Sequence, residues 1–384
     1  MIVEQLSLVD FRNYAVADVA LGTGPNVFVG RNGQGKTNLA EAIAYLATLG
    51  SHRVSSDAPM VRDGAESAVI RARLAHGDRR VLLEVQLNRQ GSNKARVNGA
   101  PVKPGELPRH AQVVLFAPED LQIVRGDPSW RRRFADQLLV QQAPRLAGVL
   151  ADYDRVLKQR NALLKSAKVR GIRGDALSTL DVWDDKLVAL GTEIIEERSR
   201  LAADLAAPIA GAYAAIAGAD HSPEIGWALS VRGADREDGG DEVTDAGATP
   251  IRDLFRQALS VRRTAELDRG LTLVGPHRDD LVLSVRGLPV RGYASHGESW
   301  SFALALRLAS AELLRAQSRL GDPVLILDDV FAELDAGRRS RLADLVAGYE
   351  QVLVTAAVEE DVPTALRART VRVEAGTILE AADA

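Results

Sequence analysis

The sequence predicts an α/β fold of two lobes, with a mainly helical second lobe inserted into the first. Three observations lead to it. Short apolar and alternating runs of strand type fill residues 1–125 and return over 270–384. Between them, over 126–269, apolar residues recur at intervals of three and four, as in Trp183, Leu187, Leu190, Ile194 and Leu201, which gives a helix one apolar face. A glycine-rich turn also stands between a strand pattern and a helix pattern near residue 30. A chain of 384 residues is long enough to bury two such lobes.

The first lobe opens with alternation over residues 2–9 and a turn at Phe11-Arg12-Asn13-Tyr14. Val27-Phe28-Val29 leads into the glycine-rich turn, and a helical pattern follows over 36–49. Alternating runs recur over 68–74, 80–87 and 95–102. The last is split by Asn98-Gly99, a hairpin signal because both positions tolerate positive φ. Val113-Val114-Leu115-Phe116 is a short strand ended by Pro118. Helical texture begins near residue 128. Residues 233–250 are glycine-rich and acidic with little to bury, and they read as a mobile loop. Strands return from 271, and a last helix-strand series carries 324–327, 335–346, 352–355 and 371–373.

Composition narrows the function classes. Hydrophobic residues at 46% and charged residues at 26% are ordinary for a soluble globular protein, and 4% aromatic content leaves the core to Leu, Val, Ile and Ala. No long apolar stretch lacks charges, and the N-terminus has no basic region followed by an apolar run, so neither a membrane span nor a secretory leader is expected. Cysteine is absent, which excludes disulfides, cysteine-based zinc sites and thiol catalysis and is compatible with a reducing cytoplasm. A net charge of −4 gives no bulk signal for nucleic acid. Any DNA contact therefore needs a local patch. Arg131-Arg132-Arg133 and the run Lys158, Arg160, Lys165, Lys168, Arg170, Arg173 read equally as phosphate contacts or as solvated helix faces.

The glycine-rich turn carries the chemistry. Gly30-Arg31-Asn32-Gly33-Gln34-Gly35-Lys36-Thr37 fits G-x-x-x-x-G-K-[ST] at every fixed position, with a strand before it and a helix after it. Glycines let successive backbone N–H groups curl around phosphate oxygens where a side chain would collide. Lys36 can reach the β- and γ-phosphates of ATP, the Thr37 hydroxyl can ligate Mg²⁺, and the helix behind them turns its positive end to the same phosphates. Far along the chain, Pro323-Val324-Leu325-Ile326-Leu327-Asp328-Asp329 is an apolar strand ending in two carboxylates. Asp328 is placed beside the Mg²⁺, directly or through water, and Asp329 to orient or deprotonate the attacking water.

Other segments resemble parts of ABC ATPases. Ser295-His296-Gly297-Glu298, ahead of a long helical pattern, is similar to the signature in which Ser295 and the Gly297 backbone would grip the nucleotide of an opposite subunit, with Glu298 and Ser299 standing in place of the usual Gly and Gln. Leu334-Asp335 resembles the D-loop, and Asp335 also reads as a helix N-cap. Val352-Leu353-Val354 is followed by Thr355-Ala356-Ala357, with no histidine at the usual switch position, so any γ-phosphate sensor differs from that of transporters. His277, in Gly275-Pro276-His277-Arg278-Asp279-Asp280, has no partner at metal-ligand spacing.

The set Phe11-Arg12-Asn13-Tyr14, the P-loop followed by Asn38, Ser51-His52-Arg53, Phe116-Ala117-Pro118-Glu119-Asp120-Leu121, Arg131-Arg132-Arg133-Phe134, Gly275–Asp280 and Asp328-Asp329 through Asp335 resembles the RecF family over residues 1–357. The resemblance implies a P-loop ABC-type ATPase head, as lobe I, with the inserted helical lobe II and no long coiled coil. It also implies an ATP-dependent homodimer that binds duplex, gapped or junction DNA, releases it on slow hydrolysis, and with RecR and RecO helps load RecA, with no membrane partner. By the same resemblance Asn38 joins the nucleotide-binding residues, Glu119 takes the place of the Q-loop glutamine, and Arg53 is a candidate contact to nucleotide or DNA. Asp329 in place of the common glutamate suggests slow turnover. A transport motor and an adaptor in which ATP only fixes a dimer stand as alternatives. The spacing of 292 positions between Lys36 and Asp328 is wide for the first.

Overall fold

The computed structural model describes residues 1–171, 178–219, 221–233, 249–318 and 321–383. The chain forms two compact units: Met1–Val124, Ala207–Pro223 and Ala294–Ala384 in one, and Arg125–Ala206 and Glu224–Tyr293 in the other. In chain order the first unit begins with β1 (Ile2–Phe11), β2 (Tyr14–Ala20), β3 (Gly24–Val29), α1 (Lys36–Thr48), β4 (Ser67–His76), β5 (Arg79–Asn88), β6 (Lys94–Val97), β7 (Ala100–Val102), β8 (Val113–Phe116) and the short α2 (Leu121–Arg125). The second unit holds α3 (Pro128–Gln142), α4 (Leu146–Arg170), most of α5 (Ser178–Ala217), β9 (Glu224–Ala228), α6 (Ile251–Arg269), β10 (Asp280–Val285), β11 (Leu288–Pro289) and a single irregular turn, α7 (Val290–Tyr293). The chain then completes the first unit with α8 (His296–Gln317), β12 (Val324–Asp328), α9 (Ala336–Val346), β13 (Gln351–Ala356), β14 (Arg369–Glu374) and β15 (Thr377–Asp383).

Two six-stranded sheets build the first unit, in the orders β2-β1-β4-β5-β6-β7 and β15-β14-β3-β13-β12-β8. The first is antiparallel and its strands alternate, as β4 and β5 do, between buried aliphatic and exposed charged positions. That alternation is the period-2 pattern of a sheet with one face in the core. Its last hairpin turns at Asn98-Gly99, both at positive φ, with Val97 opposite Ala100. The second sheet is parallel from β14 through β3, β13 and β12 to β8. All residues of β12 and β13 are buried, which suits strands covered on both faces. One core joins the inner faces of both sheets to α1 through Leu6, Phe11, Leu39, Ile43, Leu46, Leu83, Ile326 and Leu353. Each such aliphatic side chain contributes roughly 1.5–3 kcal/mol on burial, so α1 is clamped along its length.

The second unit is mainly helical around a core of Tyr153, Leu187, Val188, Ile194, Ile195, Phe255 and Leu259. Leu187, Ile194 and Leu201 are buried on α5, with Trp183 and Leu190 partly so. The point where the chain leaves this unit differs from the sequence reading. Strands return only at Asp280, not at 271, and there β10 pairs with β9, Leu281 opposite Trp227, which holds it in the second unit until Ala294. Conversely Ala207–Pro223, inside the expected helical lobe, belongs to the first unit, where Tyr213 meets Phe302 of α8 edge-on with centroids 5.9 Å apart. Residues 234–248 of the expected acidic loop, and Arg173, lie outside the described residues.

Candidate nucleotide-binding site

The P-loop runs from the end of β3 into α1, and Asp328 ends β12. Between these strands lies β13, with Val354 opposite both Val27 and Leu327. Parallel pairing therefore brings three strand ends to one edge, although their residues are hundreds of positions apart. There Thr37 Oγ1 donates to Asp328 Oδ1 at 2.9 Å, and Thr355 Oγ1, from the end of β13, donates to the same oxygen at 2.6 Å. Asp329 turns out of the strand in the left-handed region, φ 55° and ψ 21°, and its N–H donates to Thr355 Oγ1 at 3.0 Å. Such a backbone is uncommon for a residue with a Cβ and is held here by that bond.

Lys36 is buried and folds back over its own loop, its Nζ donating to the carbonyls of Gly30 at 2.5 Å and Arg31 at 3.1 Å. Burial pushes its pKa down, against the opposing pull of Asp329 and Asp328. Burial, and then the neighbouring Asp328, pushes the Asp329 carboxyl up. Two glycines are obligatory. Gly35 sits at φ 119°, and a Cβ there would lie 2.8 Å from the side chains of Asn13 and Tyr14; on Gly30 it would lie 2.2 Å from the Val373 carbonyl oxygen. Arg31, Asn32 and Gly33 form the exposed crown of the loop.

The turn after β1 acts as a brace for this loop. Asn13 Nδ2 donates to the Gln34 carbonyl at 2.9 Å, Tyr14 Oη donates to the Gly35 carbonyl at 3.1 Å, and Asn38 Nδ2 donates to Asn13 Oδ1 at 2.8 Å. On the other flank Gln34 Oε1 accepts from the Ala375 N–H at 2.6 Å. Glu41, buried on α1, accepts two bonds from Arg12, at 2.7 and 2.6 Å, and one from the Ser51 hydroxyl. Arg53 Nη1 donates to Asn38 Oδ1 at 2.9 Å. Arg12, Asn13, Asn38 and Arg53 also line a cavity of about 430 Å³ with Ala58, Pro59, Val61, Asp63 and Arg89.

Glu41 and Thr355 are the residues that sequence reasoning passed over. The one signal for Glu41 was a lone carboxylate amid Leu39-Ala40 and Ala42-Ile43, on a helix otherwise apolar at that point. Thr355 was noticed for the histidine it is not. Its role as the support of Asp328 needs the strand order.

The donor set fits a magnesium ion. Thr37 Oγ1 and the Asp328 carboxylate are hard oxygen donors already within hydrogen-bond distance of each other, and Mg²⁺ takes few protein oxygens beside substrate phosphates.

Ser295 and Gly297 stand apart, at the N-terminus of α8. Ser295 Oγ accepts from Glu298 N at 3.2 Å while Glu298 Oε2 accepts from Ser295 N at 2.9 Å, a reciprocal capping box. Glu298, odd for a signature, is thus a local capping choice. Ser295 is exposed, and Gly297 lies beside Arg338, whose Nε donates to Ser301 at 3.1 Å. Asp335 caps α9, accepting from Arg338 N at 2.9 Å. Glu119 is half-buried in the turn after β8. Its neighbour Asp120 is structural, accepting from Ala117 N at 3.0 Å and Arg307 at 2.6 Å.

In the second unit several candidate charges turn out to hold the fold. Arg160 is fully buried, donating to Asp184 and Glu266 at 2.6 Å and to Thr272 at 2.8 Å. Arg131 is buried against Asp280, with bonds of 2.6 and 2.8 Å. Neither is a DNA contact, because neither reaches solvent. Lys158, Lys165, Lys168 and Arg170 are exposed on α4. His277 is half of a buried pair with Tyr153, at 2.7 Å, and burial lowers its pKa to about 3. Asp279 accepts from Ser230 N and Oγ, both at 2.8 Å.

Comparison with known proteins identifies the family and the fold. The family described as the RecF/RecN/SMC N-terminal domain matches residues 2–378. The chain is 61% identical to the DNA replication and repair protein RecF of Leifsonia xyli, over 99% of this chain and 100% of that protein. It is 60% identical to that of Clavibacter michiganensis, over 99% and 96%. A solved structure of the recombination mediator protein RecF with ATP, of the RecFOR pathway, superposes with a TM-score of 0.85 at 29% identity, covering 98% of this chain and 96% of that one. The Smc head domain from Pyrococcus furiosus, 17% identical with a TM-score of 0.54 over 99% and 96%, shares the fold. The chain belongs to the RecF family and has the fold of ABC-type ATPase heads.

Proposed function

We propose that this member of the RecF family is an ATP-dependent DNA-binding recombination mediator that hydrolyses ATP slowly with Mg²⁺. The observation that carries the reading is the convergence of Lys36, Thr37, Asp328, Asp329 and Thr355 on one edge of the parallel sheet. The relatives' shared name and the ATP-bound relative support it. When bound, Mg²⁺ neutralises charge on the phosphates. Residues 30–38 wrap the phosphates, Lys36 releases its loop carbonyls to reach them, and Thr37 and Asp328 supply the metal's protein oxygens. Asp329, with its carboxyl pKa raised, is suited to orient the attacking water and take its proton. Ser295 and Gly297, on an exposed helix N-terminus, fit the signature role toward a second copy's nucleotide. The ATP-bound dimer holds duplex, gapped or junction DNA through phosphates, and hydrolysis resets it. With RecO and RecR it promotes RecA loading in the cytoplasm. We assign Met1–Val124, Ala207–Pro223 and Ala294–Ala384 to the head and Arg125–Ala206 and Glu224–Tyr293 to the helical lobe, and α4 offers exposed cations for DNA.

The test is DNA binding with ATP, with ADP and without nucleotide, across a salt series and beside sedimentation. ATP-dependent, salt-sensitive binding that tracks dimer formation is expected. Nucleotide-driven dimers with no DNA affinity would overturn the DNA-binding part and favour an adaptor for a protein partner.

A further inference from the structure

His52 has no place in the chemistry so far. It follows Ser51, whose hydroxyl binds Glu41 and accepts from the N–H groups of Arg53 at 2.9 Å and Val54 at 3.1 Å. The next side chain, Arg53, is tied to Asn38. The loop is therefore pinned to α1 on both sides of the imidazole, and His52 is held in place. Its side chain is 14% exposed, and its Nε2 is buried without a hydrogen-bond partner among the described residues. That atom lies 3.8 Å from Asp328 Oδ2, beyond hydrogen-bond reach. The other oxygen of the same carboxylate is occupied by Thr37 and Thr355.

A buried imidazole nitrogen with no partner is an uncompensated desolvation, and folded proteins rarely keep one unless a water or ligand completes it. Nε2 itself is closed to solvent, and an oxygen seated to one side of the 3.8 Å line, about 2.8 Å from each atom, is reached by a small shift of the imidazole. Asp328 Oδ2 is an acceptor, so such an oxygen bridges both groups when it carries a proton, as water does. A phosphate oxygen would bond Nε2 alone. We propose that His52, facing Asp328 across this gap, is a further binding residue of the nucleotide site, its Nε2 hydrogen-bonding a γ-phosphate oxygen or a metal-bound water. The inference rests on the reading of the P-loop as an ATP site. It supplies from the loop after α1 an imidazole that the position after β13 lacks.

The test uses the full chain, a fluorescent ATP analogue and its ADP counterpart, each titrated with and without Mg²⁺, and thermal melting without nucleotide. His52→Ala is expected to keep its melting temperature and to lose about tenfold in Mg-ATP affinity, the scale of one hydrogen bond to a charged group. His52→Gln, which keeps an N–H donor at similar reach, recovers most of that loss. A loss confined to ATP identifies the γ-phosphate as the oxygen, and a loss for both nucleotides only with Mg²⁺ identifies metal-bound water. Unchanged affinities in a folded His52→Ala protein would overturn the proposal while leaving the ATP site intact. Failure of the unsubstituted protein to bind either nucleotide would overturn both readings.

Discussion

The P-loop edge and the buried cluster around Arg160 are both dense in charge, yet they use it in opposite ways. In the second unit Arg160 is matched by Asp184, Glu266 and Thr272, and Glu266 spends its other oxygen on the Leu273 N–H at 2.8 Å. Those charges face one another and leave nothing to offer a ligand. At the P-loop edge Lys36 is bonded to its own loop's carbonyls, Asp329 sits in a strained turn with its carboxyl pushed up, and among the described residues His52 Nε2 has no hydrogen-bond partner. A site that binds is one whose polar groups are held by neutral or provisional partners, so that a ligand improves their situation. A structural cluster is one where the partners are final.

The largest effect that sharpens this contrast belongs to the final pairing. Arg160→Ala leaves Glu266 buried and uncompensated and is expected to cost about 3–5 kcal/mol in denaturant unfolding, while the fraction still folded binds nucleotide normally. Comparable nucleotide loss in the folded fraction would break the distinction. Next is Lys36→Ala. It removes the buried ammonium at the base of the loop and should weaken Mg-ATP binding roughly 100-fold, with little change in melting temperature because its present partners are two carbonyls.

A third experiment varies pH. Burial holds His277 near pKa 3 in the folded chain, against about 6.5 unfolded. Between these values the unfolded state takes up the extra proton, so the contribution of His277 to stability is lost as pH falls below about 6.5. Relative to His277→Gln, the native protein should lose about 2 kcal/mol between pH 7 and pH 5, read from denaturant melts at each pH. Asp279, pushed up to about 6, acts in the opposite sense in both proteins and cancels in the difference. A gap that does not change with pH would mean that His277 is not held neutral.

The smallest effect concerns the support of Asp328. Thr355→Val keeps the shape of β13 and deletes the hydroxyl that Asp328 and the Asp329 N–H share. ATP turnover is expected to fall about tenfold, equivalent to one hydrogen bond lost in the transition state, with nucleotide affinity nearly unchanged. An equal fall in affinity would place Thr355 among the binding groups instead.

Much of the nucleotide site was legible in the sequence because its requirements are local. A loop that curls around phosphates needs Gly30 and Gly35 at fixed intervals from Lys36 and Thr37, and a central parallel strand reads as an apolar run before Asp328. The same holds for the Asn98-Gly99 hairpin and the cap at Asp335, where three or four residues fix the geometry. Charge runs carried no such information. Arg131 and Arg160 looked like Lys165 and Lys168 until helix packing decided which faced inward, since burial depends on partners from distant segments.

The sequence by itself determined the α/β character, the phosphate loop and the carboxylates at the end of β12, each set by neighbours within about ten residues. Only the tertiary structure decided that Asn13, Glu41 and Ser51 brace the loop, that Thr355 supports Asp328, and that His52 Nε2 faces it at 3.8 Å. The physical reason is strand order. Placing β13 between β3 and β12 sets side by side residues that lie up to about 300 positions apart in the chain, and no local propensity encodes that neighbourhood.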